Sequence, residues 1–390
     1  MSIKPAIVVV AYNRPNSLRR ILSSIHSAKF SYKDVPLVIS IDKSDVEEVR
    51  MISDEFEWVN GHKKVECHNE KLGLKEHILW CGSLTKEYGS VIVLEDDLFV
   101  SPNFYEYAYD VVNKLETSKN VAGYSLYSYD FNEFAQRPFY PIDDGYDNYY
   151  LQVSSSWGQI WTEKQWVDFY TWYLKHDGNI KLKPGLPKNI VNWPESSWKK
   201  FFIEYLVETN KYFFYPKSSY TTNFSDVGTH QKSLKDRNYQ VSINFGTNKN
   251  SFSSFEESLS VYDAFFELNS NTLSKIMGED LSEVEIDLYG LKLLDQIKKP
   301  KLLSIKNCQD PIETFSYQMK PSIMNYVYRI SGEALSLGNT CDFNNSISEK
   351  KRISILLGIG KVYEFTIYLK IVCYLIIRKL SCQLGIGLKQ

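Results

Sequence analysis

Several common signatures are missing from this sequence. It has no GxGxxG and no GxxxxGK[ST] run, so the glycine-rich phosphate loops of dinucleotide-binding and P-loop proteins are unsupported. Its six cysteines (Cys67, Cys81, Cys308, Cys341, Cys373 and Cys382) form no CxxC pair and no regular framework. In a chain of 390 residues they read as reduced thiols, and a cytoplasmic location is expected. No secretory signal opens the sequence, since residues 1–5 lead straight into a strand. No uninterrupted apolar run reaches the roughly 18 residues of an ordinary membrane-spanning helix. The net charge of −2 excludes a nucleic-acid footprint spread over the whole chain, and no nucleic-acid partner is expected.

What remains is a globular composition, 43% hydrophobic and 24% charged, with length enough for two domains or one large domain with extensions. Aromatic content is high, with 28 Tyr and 8 Trp, which suits a sugar-binding surface. Residues 6–11 (AIVVVA), 36–42 (PLVISID), 64–68 and 91–94 (VIVL) read as strands. Between them lie helical patterns near 18–28, 46–56 and 74–84, the first capped by Asn16 or Ser17. Strands alternating with helices imply a mostly parallel sheet, an α/β fold with ligands at the carboxyl ends of the strands. Asn13, Arg14, Asp42 and Glu95 to Asp97 all fall there.

The acidic run Glu95-Asp96-Asp97 ends the fourth strand. Three adjacent carboxylates repel one another, and burying them unpaired would cost several kcal/mol, so a cation is expected beside them. Oxygen-only ligands suit a hard divalent ion, Mn2+ or Mg2+, with phosphate oxygens in its remaining positions. In a continuing strand Glu95 and Asp97 would face one side and Asp96 the other. The competing reading is a solvated acidic turn before a helix capped at Ser101, with Pro102 at its first position.

The runs VVVAYNRP, VISID and LEDDLFVSPNFYEY together resemble a nucleotide-sugar glycosyltransferase of the GT-A fold, of the N-acetylglucosaminyltransferase I type and its bacterial relatives. The resemblance implies that Asp97 is the direct metal ligand, with Glu95 and Asp96 on the ribose and sugar side. It implies that Arg14 and Asp42 hold the nucleotide, Asp42 at the uracil edge, and that His77 makes a further nucleotide contact. Asn13 belongs to the same donor-facing turn. Further along, SSSWGQIW at 154–161 resembles the small-residue and Trp-Gly segment beside the donor sugar, which implicates Trp157 and Gly158. Trp157 or Trp161 could stack on a sugar or belong to the core. The run NFSDVGTH at 223–230 resembles the loop whose histidine completes the metal site, making His230 a second candidate ligand.

One position departs from the pattern. Inverting relatives carry an aspartate after a tryptophan on the following helix, which deprotonates the acceptor. Here Trp198 is followed by Lys199 and Lys200, and a lysine does not replace a carboxylate base without a large pKa depression. Either the alignment differs, or Glu195 serves instead, or the base is lost; Glu195 is the candidate carried forward.

The expected organisation is a GT-A catalytic domain over 1–235, an extension over 236–345 and a helical tail over 346–390. The tail is apolar and basic, with Lys361, Lys370, Arg378 and Lys379 among its aliphatic residues, a composition suited to an anionic membrane surface. The function this implies is metal-dependent transfer of a sugar from a nucleotide-sugar, UDP-linked, to a glycan or lipid-linked glycan acceptor in surface polysaccharide synthesis. Two alternatives stand beside it: a nucleotidyltransferase acting on sugar phosphates, and a glycan-binding protein that has lost catalysis.

Overall fold

The computed structural model describes residues 2–115, 118–224, 226, 239–246, 249–349, 351–353, 355 and 376. It divides the chain into two compact units, Met1–Asn345 and Ser346–Gln390. Most of the basic tail lies outside the described residues. Among the described residues no helix is long and apolar enough to cross a membrane.

The first unit begins as the hydrophobic pattern predicts. Strands β1 (Ala6–Ala11), β2 (Leu37–Ile41), β3 (Lys63–Cys67) and β4 (Ser90–Glu95) pair in parallel in the order β4-β1-β2-β3. Helices α1 (Pro15–His26), α2 (Glu47–Glu55), α3 (Gly73–Ser83) and the single turn α4 (Thr85–Tyr88) connect them. Every residue of β1 and β2 is buried, as continuous apolar strands covered on both faces should be. On one face Ile7, Val9, Ile39, Ile92 and Leu94 share a core with Leu18, Ile21 and Ile25 of α1. Each such side chain contributes roughly 1.5–3 kcal/mol by burial.

The chain continues through β5 (Leu98–Val100), α5 (Phe104–Asn113), β6 (Val121–Ser125) and a short hairpin of β7 (Phe131–Asn132) and β8 (Arg137–Pro138). After it come β9 (Asn148–Leu151), β10 (Gln159–Thr162), α6 (Glu163–Tyr173), the turn α7 (Lys188–Val191) and α8 (Trp198–Glu208). The unit's large sheet is completed by β11 (Tyr212–Pro216) and β13 (Val261–Tyr262), while β12 (Thr221–Asn223) pairs with β5 alone. The nine-stranded order is β13-β9-β11-β6-β10-β4-β1-β2-β3. This is the expected α/β architecture, a mostly parallel sheet flanked by helices. The antiparallel pairings are β10 with β4 and β6, and β9 with β11. The second face is aromatic: Trp161 of β10 meets Trp166 of α6 at 4.9 Å, and Phe169 of α6 stacks on Phe202 of α8 at 4.2 Å.

Two local expectations are corrected. Helix α1 starts at Pro15, with Arg14 at its cap position. Ser17 instead donates its hydroxyl to Asp226 Oδ2 at 2.7 Å. The helix expected from Ser101 starts at Phe104 with Asn103 at the cap. Residues 98–100 stay extended because they form a ladder with β12, and Ser101 N–H continues it by donating to Tyr220 O at 2.8 Å. Beyond residue 235, β13 forms the edge of the large sheet, followed by α9 (Ser270–Met277). A second sheet, in the order β14-β15-β17-β16, comprises β14 (Val284–Asp287), β15 (Lys301–Ser304), β16 (Glu313–Phe315) and β17 (Leu335–Asn339). The turn α10 (Met324–Val327) lies between β16 and β17.

Candidate active site

Strand register sets the site. Val10 lies opposite Glu95, so the turn after β1 and the acidic run after β4 emerge side by side. Arg14 Nε lies 3.3 Å from Asp96 Oδ2 and its Nη1 3.3 Å from Asp97 Oδ2, and Nη2 closes a second bond to Asp96 Oδ1. The cation required by the three acids is therefore supplied in part by the chain itself. Asp96 and Asp97 both reach Arg14, rather than facing opposite sides, because β4 ends at Glu95 and the next two residues form a turn.

The electrostatics follow from burial. Desolvation pushes the Asp96 carboxyl up to about 6 despite the opposing pull of Arg14. Glu95 is pushed to about 8, first by burial and then by the neighbouring Asp97 carboxylate, with Arg14 acting against both. Burial lowers the affinity of Arg14 for its proton, but Asp96 and Asp97 outweigh it and the net shift is upward. One atom is left over: Asp97 Oδ1 is buried and has no hydrogen-bond partner among the described residues. A buried carboxylate oxygen without a donor is costly unless something cationic reaches it. Hard divalent ions bind such oxygens, with phosphate oxygens and water completing the shell. Asp97 thus fits a metal ligand, although among the described residues no group of three or more His, Cys, Asp and Glu converges. His230, the second candidate ligand, lies outside the described residues.

Phe224, just after β12, reaches the acidic motif. Phe224 N–H donates to Asp97 O at 2.9 Å, and Arg20 sits 4.1 Å over the Phe224 ring while pairing with Asp226. Asn13 is exposed at the mouth beside Tyr12.

Two donor candidates are more constrained than the sequence suggests. Asp42 Oδ1 accepts from Lys43 N–H and Leu72 N–H, each at 2.8 Å, and Oδ2 from Gly73 N–H at 2.9 Å. Asp42 therefore anchors the start of α3, and of a carboxylate's roughly four acceptor positions one remains. His77 is 2% exposed, its Nε2 lying 2.7 Å from Ser40 Oγ.

The Trp-Gly segment separates its two tryptophans. Trp161 is fully buried in the core. Trp157 is half-buried and faces Tyr127 and Tyr239, each at 4.7 Å between ring centroids, with Tyr129 at 5.8 Å. Gly158 has φ +96°, and a Cβ there would meet Leu126 and Thr221 at 3.1 Å, so the turn presenting Trp157 requires glycine. Glu195 lies exposed in the turn before α8.

Sequence reasoning missed Glu133, in the β7–β8 turn. Its Oε1 accepts from Lys199 Nζ at 2.7 Å and from Tyr129 OH at 3.1 Å, and Lys199 Nζ also donates to the Tyr129 hydroxyl oxygen at 3.1 Å. No local pattern marks an acid inside a Tyr- and Asp-rich stretch; the one available signal was the missing carboxylate on α8.

No protein-family model matches the chain. A curated relative, alpha-1,3-mannosyl-glycoprotein 2-beta-N-acetylglucosaminyltransferase of Arabidopsis thaliana, is 23% identical over 228 residues. The match takes in 52% of this chain and 50% of that protein, so the chain spans about half the length of the curated relative it matches. Among solved structures, mannosyltransferase PcManGT from Pyrobaculum calidifontis, in complex with GDP-Man and Mn2+, overlaps with a TM-score of 0.31 at 9% identity. It covers 42% of this chain and 46% of its own. S. aureus TarS 1–349 in complex with UDP-GlcNAc overlaps with a TM-score of 0.36 at 12% identity, over 58% and 61% of the two chains. Overlaps of this extent do not bear on function. The resemblance drawn from the sequence motifs and the curated relative point to the same type of protein.

Proposed function

We propose that this chain is a glycosyltransferase that moves a sugar from a nucleotide-sugar donor, UDP-linked, to a hydroxyl of a glycan or lipid-linked glycan, using a divalent ion held at Asp97. The observation that carries this reading is the acidic turn after β4, clamped by Arg14 on one side and leaving Asp97 Oδ1 buried and without a partner among the described residues on the other. Mn2+ or Mg2+ bound there supplies Lewis-acid stabilisation of the departing diphosphate. Arg14 orients the two aspartates, and Trp157 offers an aromatic face to the sugar.

The test is nucleotide release from UDP-GlcNAc, UDP-Gal, UDP-Glc and GDP-Man, with Mn2+, Mg2+ or chelator. Turnover with metal that falls at least 100-fold in chelator and in Asp97→Asn is expected; full activity under either condition sinks the metal assignment. Lys199 and Lys200 where a carboxylate base would be expected favour a second reading, a glycan-binding protein without catalysis. UDP binding by calorimetry with no release from any donor would support that reading. For the basic tail we propose attachment to anionic membrane, which brings a lipid-linked acceptor within reach. Binding to phosphatidylglycerol vesicles should weaken with salt and disappear on removal of residues 351–390.

A further inference from the structure

Lys199 occupies the place where an acceptor-activating acid would be sought, and its contacts show where a carboxylate has gone. The Lys199 Nζ lies 2.7 Å from Glu133 Oε1, 5.2 Å from the Trp157 ring centroid and 5.4 Å from that of Trp193. The two charged side chains are 9% and 10% exposed. An ammonium so far out of water needs a partner, and Glu133 is the carboxylate within salt-bridge distance. We propose that Glu133 is the base that takes the acceptor's proton, held in position by Lys199. This inference rests on the glycosyltransferase reading above.

Four features support it. Both hydrogen-bond partners of the Glu133 carboxylate, Lys199 and Tyr129, engage Oε1. Oε2 has no hydrogen-bond partner among the described residues, which leaves its lone pairs available. The backbone around it is fixed: fully buried Asn132 accepts from Phe134 N–H at 2.9 Å and Ala135 N–H at 3.1 Å, and donates to Phe265 O at 3.0 Å. The position adjoins the Trp-Gly segment, since Lys199 packs against Trp157. Half-buried Trp157 and Tyr239 lie together beside it at 4.7 Å, backed by the buried rings of Tyr127 and Tyr129, and suit the apolar face of a sugar. Of the acids in the acidic turn, Asp96 is held by Arg14. Asp226 is held by Ser17 and Arg20, and Glu195 is exposed in its turn.

In the step this assigns, the acceptor O–H gives its proton to Glu133 Oε2 as its oxygen bonds to the sugar's anomeric carbon. The bond from that carbon to the diphosphate oxygen breaks, and its electron pair leaves with the nucleoside diphosphate. One displacement of this kind inverts the anomeric configuration. With no acceptor sugar present, water takes the acceptor's place.

The experiment compares wild type, Glu133→Gln, Glu133→Asp and the double variant Glu133→Gln/Lys199→Met. Each is measured for nucleotide release from the same four donors with Mn2+, for UDP affinity by calorimetry, and for thermal stability. General-base loss is worth about 100-fold or more, so Glu133→Gln should lose that much in kcat while its UDP affinity stays within about threefold. Glu133→Asp should retain more activity than Glu133→Gln. The double variant removes the buried ion pair as a unit, which proteins tolerate better than a lone buried charge; it should fold and remain inactive. Wild-type-like kcat in Glu133→Gln, or in a folded double variant, overturns the assignment. A wild type that releases nucleotide from none of the donors overturns the transferase reading and this inference with it.

Discussion

His77 lies with its Nε2 2.7 Å from Ser40 Oγ, and His68 Nε2 approaches the same hydroxyl at 3.0 Å. Burial, and then the neighbouring His68, lowers its pKa from 6.5 to about 4. Between those values the unfolded chain takes up a proton that the folded chain refuses. The stability this provides is complete above pH 6.5 and is lost as pH falls toward 4, by an amount on the order of 3 kcal/mol. His77→Gln, which cannot be protonated, should flatten this part of the stability profile. Urea midpoints measured from pH 7 to 4.5 are the check, and an unchanged slope in the variant would exclude His77 as its source. At the same scale, sequence placed the acids of residues 95–97 at a strand end correctly. It did not pair them with Arg14, because that contact spans 82 positions in the chain.

Helices α3, α6 and α8 show why element boundaries were easier to read than element partners. The 3.6-residue pattern outlines each helix, but the close approach of α3 to α6 depends on Gly82. A Cβ at Gly82 would lie 2.3 Å from the Trp166 ring, and that ring is itself packed on Trp161 at 4.9 Å. An indole wedged between other aromatics has little room to retreat, so Gly82→Ala should cost about 1–3 kcal/mol. Ser83→Ala, at the exposed neighbouring position, should leave the thermal midpoint nearly unchanged. Equal midpoints for the two variants would contradict the packing argument. Short strands were the least legible elements. β10 falls in the stretch read for its Trp-Gly pattern alone, yet it sits between β4 and β6 and supplies the core with Trp161.

Across the whole first unit, the two sheets are tied by buried charge. Lys292 pairs with Asp263, just after β13 of the large sheet, and with Glu285 in β14 of the second sheet. Lys306 pairs with fully buried Asp287 and also donates to Lys292 O. Burial, and then Asp287, pushes the Glu267 carboxyl well up, and burial raises that of Asp263. Lys292→Met would leave these acids without their cation, a loss of about 3–5 kcal/mol at pH 7. Raised carboxyls are neutralised more easily in the folded state, so the loss should shrink toward pH 5. Asp263→Asn added to Lys292→Met should recover part of it, and denaturant melts of the full cycle measure the coupling. Strict additivity of the two substitutions would show that the pair does not act as a unit.

Local order alone determined the alternation of strands and helices through residue 95, the burial of β1, β2 and β4, and the placement of Arg14, Asp42 and Glu95 to Asp97 at strand ends. Those properties follow from side-chain periodicity and from the way a parallel sheet exposes its carboxyl edge. The tertiary structure decided which charges meet. It spent three of Asp42's acceptor positions on backbone N–H groups, closed His77 against Ser40, and sent Trp161 to the core while leaving Trp157 among the tyrosines. It also joined Lys199 of α8 to Glu133 of the β7–β8 turn, 66 residues away. A buried ion pair is fixed by distance in space and by the exclusion of water, and neither quantity is written in the spacing of residues along a chain.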